Sequence, residues 1–170
     1  MDFITEIFYN GPKSENGMII MLYCSKYDSP LGPIWLTGED GNLTGLSFAE
    51  IRGEFIPENF DAVKCWLDDY FQGISREVDF PMDPSGTPFQ KQVWKHLLEI
   101  PFGGTCTYGE LAKKLSSKMS PQAVGQAVSR NPIAIIIPCH RVIGSDGTLT
   151  GYAWGIEKKR WLLDHEHNRR

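Results

Sequence analysis

Apolar positions along this chain follow two spacings. In the first third, short apolar runs are separated by polar residues, the habit of strands: MIIMLYC (18–24), PIWLTG (33–38) and LTGLSF (43–48). Between the last two, EDGN places Asp40-Gly41 where a tight hairpin turn needs it. From residue 58 the spacing lengthens to that of helices. ENFDAVKCWLDDYFQG (58–73) puts Phe60, Val63, Leu67, Tyr70 and Phe71 on one face, and Gly73 can end the helix. FQKQVWKHLLEI (89–100) aligns Phe89, Val93, Leu97 and Ile100. A short helix is expected from about Tyr108 to Leu115. In SPQAVGQAVSRNP another is expected, with Ser120 as N-cap, Pro121 as first helical residue and a stop near Asn131-Pro132. AIIIPCHRVIG (134–144) reads as a buried strand driven into a proline, a cysteine and a histidine.

FPMDPSGTP (80–88), with three prolines, a glycine and a serine, has linker chemistry. The expected organisation is an α+β scaffold domain over 1–82, a linker over 83–88, and a mostly helical domain over 89–170. The first carries no glycine loop and no clustered histidines, so no chemistry is expected of it. In the second, two short helices joined by a polar link read either as a helix-turn-helix or as an ordinary helical hairpin. Ala123, Gly125 and Ala127 make the second helix small, which permits close approach to a DNA groove or to a neighbouring helix.

Charge sharpens this division. The net charge is −4, but residues 1–86 carry five Lys/Arg against fifteen Asp/Glu, and residues 87–170 carry twelve against six. A basic half on an acidic protein points to a polyanionic partner for that half. The 41% apolar content allows a full core. The opening MDFITEIF has no basic segment leading an apolar run, and no stretch approaches the ~18 apolar residues of a membrane span, so an intracellular protein is expected. Cys24, Cys65, Cys106 and Cys139 are scattered and expected to be free thiols. His96, His140, His165 and His167 show no ligand spacing with a cysteine pair, so no metal is expected.

Cys139 becomes a nucleophile only as thiolate, which requires a base. His140 is adjacent, but neighbours on a strand point to opposite faces, so a turn or a bridging water is needed to couple them. The histidine in turn needs a carboxylate on its other nitrogen. IEKKRWLLDHEHN offers Glu157, Asp164 and Glu166.

IPCHRVIGSDGTLTGY followed by KKRWLLDHE closely resembles the active-site segment of the O6-alkylguanine-DNA alkyltransferases, the methylated-DNA–protein-cysteine methyltransferases. GTPFQKQVW, IPFGGTCTYGELA and AVGQAVSRNP are similar to the family's helix-turn-helix domain, in order and spacing. SPLGPIWL, GLSF and LDDYFQG look like its N-terminal domain. The resemblance implies a ribonuclease-H-like α/β domain followed by a winged helix-turn-helix-type domain. It also implies a single-turnover repair protein, without cofactor, that flips a damaged base from double-stranded DNA containing O6-alkylguanine and takes the alkyl group onto itself. The helix enters the minor groove, where close approach bends the duplex.

Roles follow from the resemblance position by position. Cys139 is the acceptor. His140, through water, takes its proton, and Glu166 orients His140. Asn131 braces the turn beneath the cysteine. Tyr108 donates to N3 of the guanine. The carbonyls of Cys139 and Val142 accept from the exocyclic amine, and Tyr152 walls the pocket. Arg141 pins the two domains. Gln122, Ala123, Gly125 and Arg130 face DNA. Two positions depart from the family pattern. Gln122 stands where an arginine usually fills the hole left by the flipped nucleotide, with Arg130 or Lys118 as possible substitutes. Ala153 lacks a hydroxyl that some members offer to O6. The expected function is irreversible transfer of a methyl or larger alkyl group from O6 of guanine, with O4 of thymine left open, to Cys139 of an intracellular monomer (cytoplasmic, or nuclear in a eukaryote). The alternative is a protein that binds and flips such lesions with little transfer.

Overall fold

A computed structural model describes residues 7–8, 22–52 and 55–168. The chain runs β1 (Ile7–Phe8), β2 (Tyr23–Ser29), β3 (Gly32–Glu39), β4 (Asn42–Ser47), β5 (Ile51–Arg52), β6 (Ile56–Pro57), α1 (Asp61–Phe71), α2 (Pro88–Leu97), β7 (Cys106–Thr107), α3 (Tyr108–Leu115), α4 (Pro121–Ser129), a 3-10 turn (Cys139–Arg141), β8 (Val142–Ile143) and α5 (Ile156–His167).

The N-terminal half is a sheet of order β4-β3-β2-β6, with β1 and β5 forming a separate parallel pair. The Asp40-Gly41 hairpin is present, and both residues have positive φ (48° and 78°), as a turn matching strand twist requires. A second hairpin closes over Pro30-Leu31, where Ser29 pairs with Gly32. β2 starts at Tyr23 and runs to Ser29. It shares Tyr23 and Cys24 with the expected 18–24 segment and extends beyond it, while 18–21 fall outside the described residues. Apolar density did not reveal the C-terminal part of the strand, because SKYDS alternates half-buried and exposed positions and its strand character comes from pairing with β3.

α1 buries Val63, Trp66, Leu67 and Tyr70. α2 opens one residue earlier than expected, at Pro88, behind a capping box of Thr87 and Gln90, and buries Trp94 together with Val93 and Leu97. α3 has the expected bounds and its own capping box, Thr107 with Glu110. α4 begins at Pro121 with the Ser120 hydroxyl accepting from Ala123 N–H. It ends before Asn131-Pro132, and packs with α3 and α2 as a helix-turn-helix. Ala127 faces the core, where its carbonyl accepts from Trp94 Nε1 at 2.9 Å. Only Ala123 and Gly125 of the small residues are partly exposed.

The two halves share one continuous core, from Ile34 and Leu36 in β3 to Val124 in α4 and Leu162 in α5. Backbone bonds stitch them together. Leu46 N–H donates to Pro132 O (2.9 Å), and Ala134 N–H donates to Leu46 O (3.0 Å). Residues 81–83 run along the outer edge of β4, where Leu43 bonds Pro81 O and accepts from Asp83 N–H.

The segment before Cys139 corrects the expected strand. Residues 133–138 form successive tight turns instead: Ile136 N–H bonds Ala134 O (2.7 Å), Ile137 N–H bonds Ile133 O (3.1 Å) and Cys139 N–H bonds Ile137 O (2.8 Å). Ile135 has φ 66°, rare for a β-branched residue. All five residues from Ile133 to Ile137 are buried. An apolar run buried on every side has no period, so pattern cannot separate strand from turn there.

Candidate active site

Asn131 organises the turn. Its side-chain amide donates to Ile133 O (3.2 Å) and Ile137 O (2.8 Å), while its Oδ1 accepts from Ile133 N–H (3.0 Å). These bonds do what a strand ladder would otherwise do for a buried backbone. Pro138, which has no N–H to satisfy, leads into the 3-10 turn that carries Cys139, His140 and Arg141, all buried. With three residues per turn, successive side chains point about 120° apart. Cys139 and His140 therefore face different walls, and only the His140 backbone, not its imidazole, reaches the thiol.

His140 faces Glu166. Its Nε2 lies 2.7 Å from Glu166 Oε1, and both side chains are fully buried. Of the three candidate carboxylates, the structure brings only this one to His140; Glu157 is exposed and pairs with Arg160. Burial pushes the Glu166 carboxyl up, but the bonds and charges of His140 and Arg141 outweigh it and hold the group well below the usual carboxylate range. The carboxylate is thus ionised, so the proton sits on His140 Nε2 and the lone pair on Nδ1. Nδ1 is buried with no hydrogen-bond partner among the described residues. Burial also lowers the His140 pKa, against the pull of Glu166. Burial raises the Cys139 thiol, while Asn131 and the Lys159 charge act in the lowering direction. Both directions favour a neutral thiol and a neutral imidazole.

Arg141 was expected to tie the two domains. Its guanidinium instead bonds within the C-terminal half: Nε to Glu166 Oε2 (2.9 Å), Nη2 to Glu166 Oε1 (3.0 Å) and Nη1 to Ile100 O (2.6 Å). The cross-domain bond to the site comes from Tyr70 on α1, whose hydroxyl donates to Glu166 Oε1 at 2.7 Å.

Lys159 is a site residue that the sequence did not disclose. It is fully buried on α5, and its ammonium donates to Val142 O (2.6 Å) and Thr150 O (2.7 Å). It lies 5.8 Å from the Tyr108 ring centroid. Burial lowers its pKa to about 8. α5 turns Lys159, Leu162 and Glu166 inward. Two charged residues on a buried face erase the apolar stripe by which a helix is recognised, although a lysine at that spacing from Glu166 was the available signal.

β7 pairs with β8, matching Cys106 with Val142 and Thr107 with Ile143, and so sets the start of α3 beside the cysteine turn. The Tyr108 hydroxyl donates to Thr150 O at 3.2 Å, and its ring lies 3.6 Å from where a Cβ on Gly125 would sit. Tyr108 and Tyr152 both feel the charge that Cys139 would carry. Tyr152 is buried with its hydroxyl unpartnered. Val142 O already accepts from Lys159, leaving one lone pair for a further donor. Ala153 is exposed and borders a cavity of about 530 Å³ with Thr37, Gly45, Ser47, Asn131 and Trp154. Gln122 is exposed on the first turn of α4. Arg130 stands at the other end of that helix and shares a cleft with Thr87, Gln90, Ala123 and Gln126.

Two family descriptions match the chain: the ribonuclease-like domain of 6-O-methylguanine DNA methyltransferase over residues 22–84, and the DNA-binding domain of the same family over residues 88–168. The methylated-DNA–protein-cysteine methyltransferase of Methanosarcina barkeri is 46% identical over 86% of this chain and 98% of its own. That of Shigella flexneri is 37% identical over 87% and 97%. Among solved structures, the Mycobacterium tuberculosis O6-methylguanine methyltransferase is similar with a TM-score of 0.81 at 44% identity, covering 88% of this chain and 95% of that one. The M. tuberculosis OGT structure in complex with DNA also gives 0.81, at 45% identity over 86% and 94%. With a buried Cys-His-Glu arrangement beside a helix-turn-helix, and relatives of that identity along most of its length, the chain belongs to the 6-O-methylguanine DNA methyltransferase family.

Proposed function

We propose that this protein repairs duplex DNA by direct reversal, moving the alkyl group from O6 of a flipped guanine onto Cys139 Sγ in a single turnover. The observation that carries the reading is the His140–Glu166 pair, a buried base with Nδ1 unpartnered next to a buried thiol. In the proposed step the Cys139 proton passes through a water to His140 Nδ1. Sulfur attacks the alkyl carbon, the S–C bond forms, and the C–O6 bond breaks with its electron pair left on guanine. Tyr108 turns from Thr150 O to donate to the base, which lowers the cost of that charge. The ion pair of His140 and Glu166 keeps the transferred proton. The S–C bond of a thioether is stable in water, so each molecule acts once, and the acting species is a monomer.

Gln122 enters the stack in place of the usual arginine, with Ala123 and Gly125 allowing the backbone of α4 close to the groove and Arg130 on its phosphates. The test is to mix the protein with an equimolar duplex bearing one O6-methylguanine and weigh the intact protein and its Cys139 peptide. One methyl on Cys139, stopping at one per molecule, is the expected result. Tight lesion binding with no gain of mass would overturn the reading in favour of a damage-recognition protein.

A further inference from the structure

Glu166 is held by five hydrogen bonds, and one of them comes from the other half of the molecule. Oε2 accepts from Arg141 Nε and from Gly103 N–H, each at 2.9 Å. Oε1 accepts from His140 Nε2 (2.7 Å), Arg141 Nη2 (3.0 Å) and the Tyr70 hydroxyl (2.7 Å). Tyr70 thus competes with His140 for the same oxygen. A donor on a carboxylate oxygen draws off negative charge and weakens that oxygen's hold on its other partners.

The Tyr70 ring does not need its hydroxyl to stay in place. It stacks on Trp66 (centroids 5.4 Å apart), meets Phe71 and Phe102 edge-on, and its backbone carbonyl accepts from His165 Nε2 at 2.8 Å. Tyr70 cannot trade its proton away either, since burial first and the Glu166 charge second push its ionisation well above the ordinary range. The other titratable groups around the pair are Cys139 and Arg141 on the same turn, Tyr152 on the loop that follows, and Lys159 and His165 on α5. None of these donates a neutral O–H to Glu166.

We propose that Tyr70 is a positioning residue for alkyl transfer, its hydroxyl fixing Glu166 Oε1 and tempering the basicity of His140 so that the N-terminal half tunes the reaction centre. The inference rests on the reading of Cys139, His140 and Glu166 as a proton relay.

The test is Tyr70→Phe, which keeps the ring and removes the donor. Its readouts are the NMR titration of His140, the pH dependence of Cys139 alkylation by iodoacetamide without DNA, and single-turnover transfer from an O6-methylguanine duplex. Loss of the donor raises the proton affinity of His140 about three- to tenfold. Transfer and iodoacetamide reaction then slow by up to that factor at pH below the wild-type His140 titration, change little near pH 8.5, and DNA affinity is unaltered. A folded variant with an unchanged His140 titration and unchanged pH profiles overturns the proposal, even if its Tm falls, because a simple tie between domains predicts that outcome. 3-Fluorotyrosine incorporated at position 70, a stronger donor of nearly the same shape, moves the His140 titration the opposite way and supplies the test if Tyr70→Phe fails to fold. The titration and the iodoacetamide profile read the relay without DNA, so they stand even if no alkyl group is transferred.

Discussion

Asn131 donates to the carbonyl of Ile137 at 2.8 Å, closing a turn whose middle residue, Ile135, holds φ at +66°. A β-branched residue in that conformation costs about 1–3 kcal/mol. The three bonds of Asn131, made in a buried site, offset the strain and set Cys139 on its 3-10 turn.

Asn131→Ala removes all three bonds and leaves the buried Ile133 N–H without its acceptor, while Ile133 O and Ile137 O keep their backbone donors. Unfolding free energy falls by about 2–4 kcal/mol in urea denaturation. Asn131→Asp keeps the acceptor but sets a negative charge beside the thiol, so Cys139 alkylation by iodoacetamide shifts to higher pH.

Glu166→Gln leaves the Arg141 guanidinium buried without its counter-charge, and stability falls by about 3–5 kcal/mol. It also removes the anion that holds the proton on His140 Nε2. Single-turnover transfer slows at least about 100-fold, measured by quench-flow under conditions where the variant remains folded.

Acid weakens the fold in two stages. His140 is buried with a lowered pKa, so below about pH 6.5 the unfolded chain binds a proton that the folded chain resists, and stability drops as pH falls. Glu166 is depressed in the folded state. Its contribution is present above the unfolded carboxylate value of about 4.3 and is lost as pH falls through the folded one. Tm recorded from pH 8 to pH 3 should therefore decline below about 6.5 and more steeply below about 4. A flat curve between 7 and 5 would contradict the burial of His140.

Lys159→Met keeps the stem of the side chain but removes the ammonium that bonds Val142 O and Thr150 O. A positive charge near the thiol is lost, so the Cys139 iodoacetamide profile moves to higher pH. Transfer slows about tenfold or more.

Gln122→Arg restores a charged, longer side chain at the start of α4. Lesion-duplex affinity rises and its salt dependence steepens by up to about 0.9 in the log–log slope, because a cation set into the duplex releases counterions. Unchanged affinity and slope in a fluorescence-anisotropy titration would place residue 122 away from the DNA.

Much of the frame was legible in the sequence because it is written in local chemistry. Asp40-Gly41 demands positive φ twice, Ser120-Pro121 starts a helix, and Asn131-Pro132 stops one; each acts on its neighbours and needs no tertiary partner. The order of the main helices, the basic character of the second half and the adjacency of Cys139 and His140 could be read the same way. Where reading failed, long-range burial had overruled the local signal. SKYDS is polar yet a strand because β3 lies beside it.

The sequence by itself determined the residues that can carry the chemistry and the helices that present them, because those depend on side-chain type and short-range spacing. Tertiary structure decided the rest. Ile133 to Ile137 fold into turns, not a strand, because core surrounds them on every side and Asn131 satisfies their backbone. Lys159 and Glu166 face inward on a helix with little apolar stripe, because Val142 O, His140 and Arg141 meet them there. Tyr70 reaches Glu166 from 96 residues away, a contact that exists only once the two halves share one core, since no short-range rule relates residues so far apart in the chain.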